Sequence, residues 1–294
     1  MAGPVKSLFS VAGPNASLKD AGSGGGEEIY LPIEGGVAVL ISTIGGETGL
    51  ALKPDGTRFY KISGSNNLNQ YDVVDPFDIT NVTNYVSENN LSGLTTAQGL
   101  VFKPDGTSFY VLDNSTDALR QYDMSTAFDI RTYSAGSVFS VSTQEASPRG
   151  LAFRTDGTAV YVGGVSSYNK VHVYSLSTAW DVSTMSFVET FDLSSILNST
   201  LNGVGFSPDG EVFYASQNVT VFRAALSTPW DISTAVFDAN GLGKTKVLSV
   251  GNFAQFTVHP EGKALFFADT NDDNVVIGIR GIVLDEKTYV LRGL

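Results

Sequence analysis

One line of sequence occurs five times in this chain of 294 residues, and the repetition limits the folds that the chain can adopt. The copies read ALKPDGTRFYKIS, VFKPDGTSFYVLD, AFRTDGTAVYVGG, GFSPDGEVFYASQ and TVHPEGKALFFAD. Successive copies are 50–53 residues apart, measured at Pro54, Pro104, Thr155, Pro208 and Pro260. A steady period of about 50 residues predicts a solenoid, a propeller or another repeat array.

Each unit divides into four short segments with the character of β-strands. The second copy shows them best: GLVFK (99–103), SFYVLD (108–113), ALRQYDMS (118–125) and SVFSVST (137–143). Pro-Asp-Gly-Thr between the first two segments predicts a tight turn, because Pro presets φ and Gly tolerates a positive φ. Four strands in a unit of this length are typical of one blade of a β-propeller.

A second shared line lies between the third and fourth strands of each unit. It reads DPFDIT, STAFDIRT, STAWDVST and STPWDIST. We interpret it as a compact turn whose aromatic residue covers the edge of the blade and whose Asp accepts backbone N–H bonds. The residues concerned are Phe77, Phe128, Trp180 and Trp230, followed by Asp78, Asp129, Asp181 and Asp231. Four equivalent copies favour packing over sugar binding by these aromatic residues.

The fifth unit lacks a fourth strand, and the N-terminal region can supply it. The segment GVAVLISTIGGETGLAL (36–52) aligns with GSVFSVSTQEASPRGLAF (136–153). We therefore predict an all-β fold: a five-bladed propeller of four-stranded blades over residues 28–294, with the fifth blade completed by an N-terminal strand at 37–43. Such closure removes the open edge of the sheet.

The Phe-x-Pro-Asp-Gly line resembles the WD40-like propeller repeats of the PD40 and YVTN type, over roughly residues 37–284. That resemblance implies the propeller fold. The family includes secreted binding proteins, and related propellers include sugar-lactone hydrolases. The longer Tyr-Asp-x-Ser-Thr-x-Trp/Phe-Asp line is similar to repeats in structural proteins of tailed bacteriophages, which implies a place in a virion.

Composition excludes several classes of partner and site. The net charge is −12 with no basic run, so a nucleic-acid partner is not expected. The chain has no cysteine, which excludes disulfides and thiolate-ligated metals. It also has no apolar stretch long enough to cross a bilayer, so we predict no membrane insertion.

The residue before each inner-strand glycine is expected at one mouth of the central channel. These residues are Thr48, Gln98, Arg149, Asn202 and, in the fifth copy, Ala254. We predict ligand contacts for the first four, with either an anion bound at Arg149 or a plain polar lining. They provide neither a metal cage nor a nucleophile with a base. We therefore predict no catalytic residue, metal or cofactor.

Two further features have local explanations. Turn chemistry accounts for the row of carboxylates at the repeated turn, Asp55, Asp105, Asp156, Asp209 and Glu261. DTNDDN (269–274) resembles part of a calcium loop without its Gly and distal Glu, so a weak surface cation site there stays open. We expect His172, in an alternating strand, to point out from a sheet face, and His259 to occupy an ordinary variable position.

Residues 1–27 lie outside the repeat and end in a Gly-rich linker. Four apolar residues precede the linker and have no core of their own: Val5, Leu8, Phe9 and Val11. We interpret this segment as an arm that docks onto other virion or assembly proteins.

The predicted function is a non-enzymatic structural and binding propeller on the head or tail surface of a tailed-phage virion, with a host-surface glycan or protein as a further partner. The alternatives are a lactonase- or hydrolase-type enzyme with a channel metal, and an adhesion protein outside the cell or on the bacterial surface.

Overall fold

The computed structural model describes residues 39–40, 47–63, 65–77, 82–88, 91–197, 199–218, 220–236, 244–246, 253–261, 264–269 and 275–280. In these residues the fold is all β apart from three single turns of 3₁₀ helix, at Ile130–Thr132, Val182–Thr184 and Ile232–Thr234. No described helix is long and apolar enough to span a bilayer. The predicted arm, including Val5, Leu8, Phe9 and Val11, lies outside the described residues.

The strands form five antiparallel sheets. Sheet V begins with β1 (Val39–Leu40). Sheet I comprises β2 (Glu47–Leu52), β3 (Arg58–Ser63), β4 (Leu68–Val73) and β5 (Val82–Glu88). Sheet II comprises β6 (Ala97–Phe102), β7 (Ser108–Asp113), β8 (Ala118–Met124) and β9 (Tyr133–Ser140). Sheet III comprises β10 (Pro148–Phe153), β11 (Ala159–Gly164), β12 (Lys170–Leu176) and β13 (Met185–Asp192).

The last two sheets follow the same plan. Sheet IV comprises β14 (Gly203–Phe206), β15 (Val212–Gln217), β16 (Thr220–Leu226), β17 (Ala235–Val236) and β18 (Lys244–Lys246), the last two both pairing with β16. Sheet V continues with β19 (Phe253–Val258), β20 (Ala264–Asp269) and β21 (Val275–Arg280), and β1 pairs with β21. Val39 lies opposite Val276 and Leu40 opposite Val275.

The inner strand is the first strand in sheets I to IV, and in sheet V it is β19. Inner strands β2, β6, β10, β14 and β19 contact one another in that order, and β19 contacts β2. Together with the repeated four-strand plan, this arrangement confirms the predicted all-β propeller fold. One strand was misplaced in the prediction, because β9 begins at Tyr133, directly after a 3₁₀ turn, whereas the prediction began it at 137.

The two repeated lines of sequence form one packing unit. In sheet III, Gly157 has φ +75°, and a side chain on it would overlap the indole ring of Trp180. Trp180 itself has φ +66°, and its N–H donates to Gly157 O at 3.0 Å. Asp181 then accepts from Ser183 N at 2.9 Å, which confirms the predicted role of this Asp. Gly106 with Phe128 and Gly210 with Trp230 repeat the arrangement.

A tyrosine in each of three sheets bonds to the aromatic turn of the next sheet. Its hydroxyl donates to the carbonyl of the left-handed aromatic residue, at 2.7–2.8 Å. The pairs are Tyr60 with Phe128, Tyr110 with Trp180, and Tyr161 with Trp230. Burial raises the pKa of each hydroxyl, to about 12 for Tyr161, so the hydroxyls remain donors at neutral pH.

Candidate functional site

The inner strands come very close together at the centre of the ring because they carry glycine there. A Cβ on Gly49 would lie 2.9 Å from the backbone N of Leu100, and one on Gly150 would lie 3.0 Å from the backbone N of Val204. Such distances leave no room for a side chain. Four inner strands carry this glycine, at Gly49, Gly99, Gly150 and Gly203.

The fifth inner strand carries Gln255 at the corresponding position, and its side chain fills the centre. Gln255 is 2% exposed. Its Oε1 accepts from Leu100 N of sheet II at 2.8 Å, and its Nε2 donates to Leu151 O of sheet III at 2.7 Å. We call it the axial glutamine. Its role was not predicted from the sequence, although the replacement of a repeated glycine is a signal that could have revealed it.

Of the predicted mouth residues, Arg149 and Asn202 come together. Arg149 lies at an irregularity in the pairing of β10 with β11, and its Nη1 donates to Asn202 Oδ1 at 3.1 Å. Arg149 Nε is buried and has no hydrogen-bond partner among the described residues. Burial lowers the pKa of this guanidinium. The mouth therefore holds a partly desolvated cation beside a neutral amide.

The other two predicted mouth residues do not join this pair. Thr48 is half-buried, and its hydroxyl donates to Ile62 O of its own sheet at 3.4 Å. Gln98 is also half-buried, and its backbone pairs with Leu112 in the neighbouring strand. In the described residues neither side chain is hydrogen-bonded to Arg149 or Asn202.

Two buried carboxylates, Asp113 and Glu145, lie on the same side of the ring as the mouth. Asp113 accepts from Thr96 N at 3.0 Å, from Thr116 Oγ1 at 2.7 Å and from Arg120 Nε at 3.1 Å. Burial alone would raise the pKa of this carboxyl, but the hydrogen bonds outweigh it and lower the pKa. Asp113 is therefore an ionised acceptor that holds loops together, and it is not suited to donate a proton.

Glu145 supplies the corresponding carboxylate of sheet III from a loop, since the strand there carries Gly164. Its two oxygens accept from Ser147 N at 2.8 Å and from the N–H and hydroxyl groups of both Ser166 and Ser167. Burial raises the pKa of Glu145, but the bonds from Ser166 and Ser167 overcome this effect and leave the pKa below its usual value. Five donors thus depend on one buried anion.

His172 is buried, which the alternating pattern of its strand does not predict. The ring is only 3% exposed, because neighbouring sheets cover both faces of β12. Its Nε2 lies 3.0 Å from Ser167 Oγ and its Nδ1 lies 2.9 Å from Thr190 Oγ1. Ser167 Oγ donates to Glu145, so it accepts from His172 Nε2–H. This direction of bonding opposes a role for His172 as the base that activates Ser167.

The Glu145 bonds predict a pH-dependent contribution to stability. A carboxyl whose pKa is lowered by folding stabilises the fold above its unfolded pKa, and this contribution is lost as the pH falls through the folded value. We expect Glu145→Gln to lower the free energy of unfolding by about 2–4 kcal/mol at pH 7, since an amide cannot accept all five donors.

Urea unfolding at pH 7 and in acid measures this effect. The difference between wild type and Glu145→Gln should shrink as the pH falls below the ordinary glutamate value of 4.5. Glu189→Gln, an exposed change on β13, is the control and should match wild type. A difference that stays constant with pH would contradict an ionised role for Glu145.

The remaining candidates divide between described and undescribed residues. His259 is buried, its Nδ1 accepts from Glu261 N at 3.0 Å, and its ring lies 4.1 Å from that of Phe77. Asp55 and Asp105 accept hydrogen bonds within their turns. Burial raises the pKa of each carboxyl, but these bonds outweigh it and lower the pKa values to about 2. Residues 270–274 of the open cation site lie outside the described part. Within that part no cluster of three or more His, Cys, Asp or Glu could hold a metal.

Comparison with known proteins places the fold in a family. Residues 98–281 match the family described as "Lactonase, 7-bladed beta-propeller". That description names seven blades, whereas the described residues form five sheets. No curated protein matches the chain.

The similar solved structures have low sequence identity and TM-scores below 0.5. The β-propeller domain of Cps50 (Swd1) from Myceliophteria thermophila is 14% identical, with a TM-score of 0.46, covering 79% of this chain and 69% of that one. A functionally unknown protein from Desulfotomaculum acetoxidans DSM 771 is 15% identical, with a TM-score of 0.44, covering 80% and 72%. A chain of a mitotic checkpoint complex is 13% identical, with a TM-score of 0.44, covering 76% and 61%.

Proposed function

We propose that the chain, which belongs to the Lactonase, 7-bladed β-propeller family, uses its propeller as a non-enzymatic structural and binding module of a larger assembly. The observation that carries the proposal is the axial glutamine. Gln255 occupies the centre of the ring, where propeller enzymes usually bind substrate, and both polar groups of its amide are already bonded to backbone. Ligands then meet the protein at the mouth and on the loops around it.

In this proposal the ring has five blades and closes through the pairing of β1 with β21. Two contacts between sheets V and I support closure at this number. Inner strand β19 contacts β2, and His259 of sheet V packs on Phe77 of sheet I. Lys53 of sheet I lies 5.5 Å from the ring of Phe128 in sheet II, so the same kind of contact recurs at another boundary between sheets.

The assembly that we propose is the surface of a tailed-phage particle. This part of the proposal rests on the similarity of the aromatic-Asp line to repeats of phage structural proteins, and on the apolar arm in residues 1–27. The arm attaches the protein to other virion components, and the propeller presents its mouth outward to a host-surface glycan or protein. A structural component of a virion needs no catalytic site in its propeller.

Deletion of residues 1–27 tests this function. We expect the full chain at fixed stoichiometry in purified particles and the truncated chain absent from them, because burying four apolar side chains yields about 1.5–3 kcal/mol each before ordering costs. Quantitative mass spectrometry of particles measures both. The control is the free truncated chain, which should keep the melting temperature of the full chain. Incorporation of the truncated chain at full stoichiometry would assign attachment to the propeller.

Lactone hydrolysis is the second candidate, and the family match favours it. An assay of lactone turnover distinguishes the two functions. It uses purified protein with γ- and δ-lactones, with and without divalent cations. The proposed role expects no turnover above the uncatalysed rate. Turnover that is lost in Arg149→Met would support the enzyme instead.

A further inference from the structure

We infer that the mouth of the propeller binds an oxyanion, a carboxylate or phosphate group of a ligand, between Arg149 and Asn202. The inference names the ligand class for the proposed binding role and therefore rests on that role. Its basis is a cation that the fold half-buries without giving it a counter-charge.

Four other arginines in the described residues are paired with carboxylates, and Arg223 is not. The distances between nitrogen and oxygen are 2.7–3.1 Å, in the pairs Arg58–Asp72, Arg120–Asp113, Arg131–Asp129 and Arg154–Asp156. Arg149 has no carboxylate partner in the part of the chain that the structure describes. Carboxylates are not in short supply, since the sequence has 30 Asp and Glu residues against 18 Lys and Arg residues.

The surroundings of Arg149 make its charge costly without a ligand. Its Nε is buried and has no hydrogen-bond partner in the described part of the chain, and burial lowers the pKa of the guanidinium. Removing a charge from water without a partner is unfavourable. An anion seated against Nε–H would restore the missing interaction, and bonds between guanidinium and an oxyanion are among the stronger ones in proteins.

Asn202 supplies the second half of the site. Its Oδ1 accepts from Arg149 Nη1, which leaves the Nδ2 group as a donor. Asn202 is 5% exposed and immediately precedes β14, so its position is fixed by the fold. The axial glutamine closes the channel at the centre, which places the ligand at the mouth.

A purely structural role for Arg149 makes the opposite prediction for stability. If the bond to Asn202 were its purpose, Arg149→Met would destabilise the free protein. If Arg149 is kept for an anion, methionine removes an uncompensated buried charge at similar volume, and the melting temperature of the free protein should stay equal or rise.

Calorimetric titration of the full chain with inorganic phosphate and, separately, with acetate at constant ionic strength tests the inference. We expect saturable binding of at least one probe, and the probe that binds distinguishes phosphate from carboxylate ligands. Arg149→Met should weaken the binding at least about tenfold, the effect of losing one charged contact. Arg131→Gln, which removes an exposed arginine paired with Asp129, is the matched control and should bind like wild type.

Two results would overturn the inference: no saturable binding of either probe at millimolar concentration, or equal binding by Arg149→Met. A lower melting temperature of free Arg149→Met would also count against it. Lactone turnover by the same preparation would instead overturn the non-enzymatic role, while the anion site could stand.

Discussion

Replacing Gly157 with alanine is expected to lower the free energy of unfolding by about 3 kcal/mol, because two penalties add at this position. The residue has φ +75°, where a Cβ clashes with the following carbonyl. The added methyl would also overlap the indole of Trp180, which is itself fixed by a backbone bond to Gly157. Urea unfolding measures the loss.

Gly93→Ala separates the two penalties. Gly93 has φ +77°, but a methyl there would meet only the end of the Arg120 side chain, at 3.0 Å. The control should therefore lose only the conformational part, roughly 1–2 kcal/mol. In a Trp180→Ala background, Gly157→Ala should cost no more than Gly93→Ala does in wild type. Equal losses for the two single variants would show that the indole does not press on the turn.

Replacing Gln255 with leucine is expected to cost about 2–5 kcal/mol. The change keeps the volume but leaves Leu100 N–H and Leu151 C=O buried without partners, at roughly 1–3 kcal/mol each. These two groups belong to sheets II and III, so the substitution also removes the hydrogen bonds that join these sheets to sheet V at the centre. Equilibrium urea unfolding and hydrogen exchange of the Leu100 amide report the two effects.

Gln98→Leu is the matched control for that experiment. Gln98 is also a glutamine of an inner strand, but its side chain is half-buried at the mouth and is not hydrogen-bonded within the described residues. The substitution should change the free energy of unfolding by less than about 0.5 kcal/mol. Similar stability of Gln255→Leu and Gln98→Leu would show that the axial bonds contribute little.

Features that are local to one repeat could be read from the sequence. The Pro-Asp-Gly turns, the strand SFYVLD (108–113) and the Asx bonds of Asp129, Asp181 and Asp231 all depend on residues a few positions apart. Their chemistry is set by φ preferences and short-range hydrogen bonds, which the order of residues reveals directly.

Features that lie between repeats could not be read in the same way. Gln255 bonds to residues 104 and 155 positions away, and each bonded tyrosine reaches 68–70 positions along the chain. The burial of His172 follows from the sheet that packs against it, and alternation within one strand carries no information about that neighbour. At the mouth, the sequence placed Arg149 and Asn202 at equivalent positions of the repeat. It did not show that these two side chains are hydrogen-bonded to each other.

The bonds from each tyrosine to the next aromatic turn also bear on how such a chain can lengthen or shorten during evolution. Each of sheets I to III brings one hydroxyl donor for its successor, and each of sheets II to IV brings one carbonyl acceptor for its predecessor. Duplicating or deleting a whole repeat among these sheets therefore leaves no orphaned group at the rim. The centre of the ring does constrain the number of repeats, because the Gln255 side chain can span only a narrow gap between inner strands. A descendant with an added repeat would have to replace Gln255, and that position would record the change.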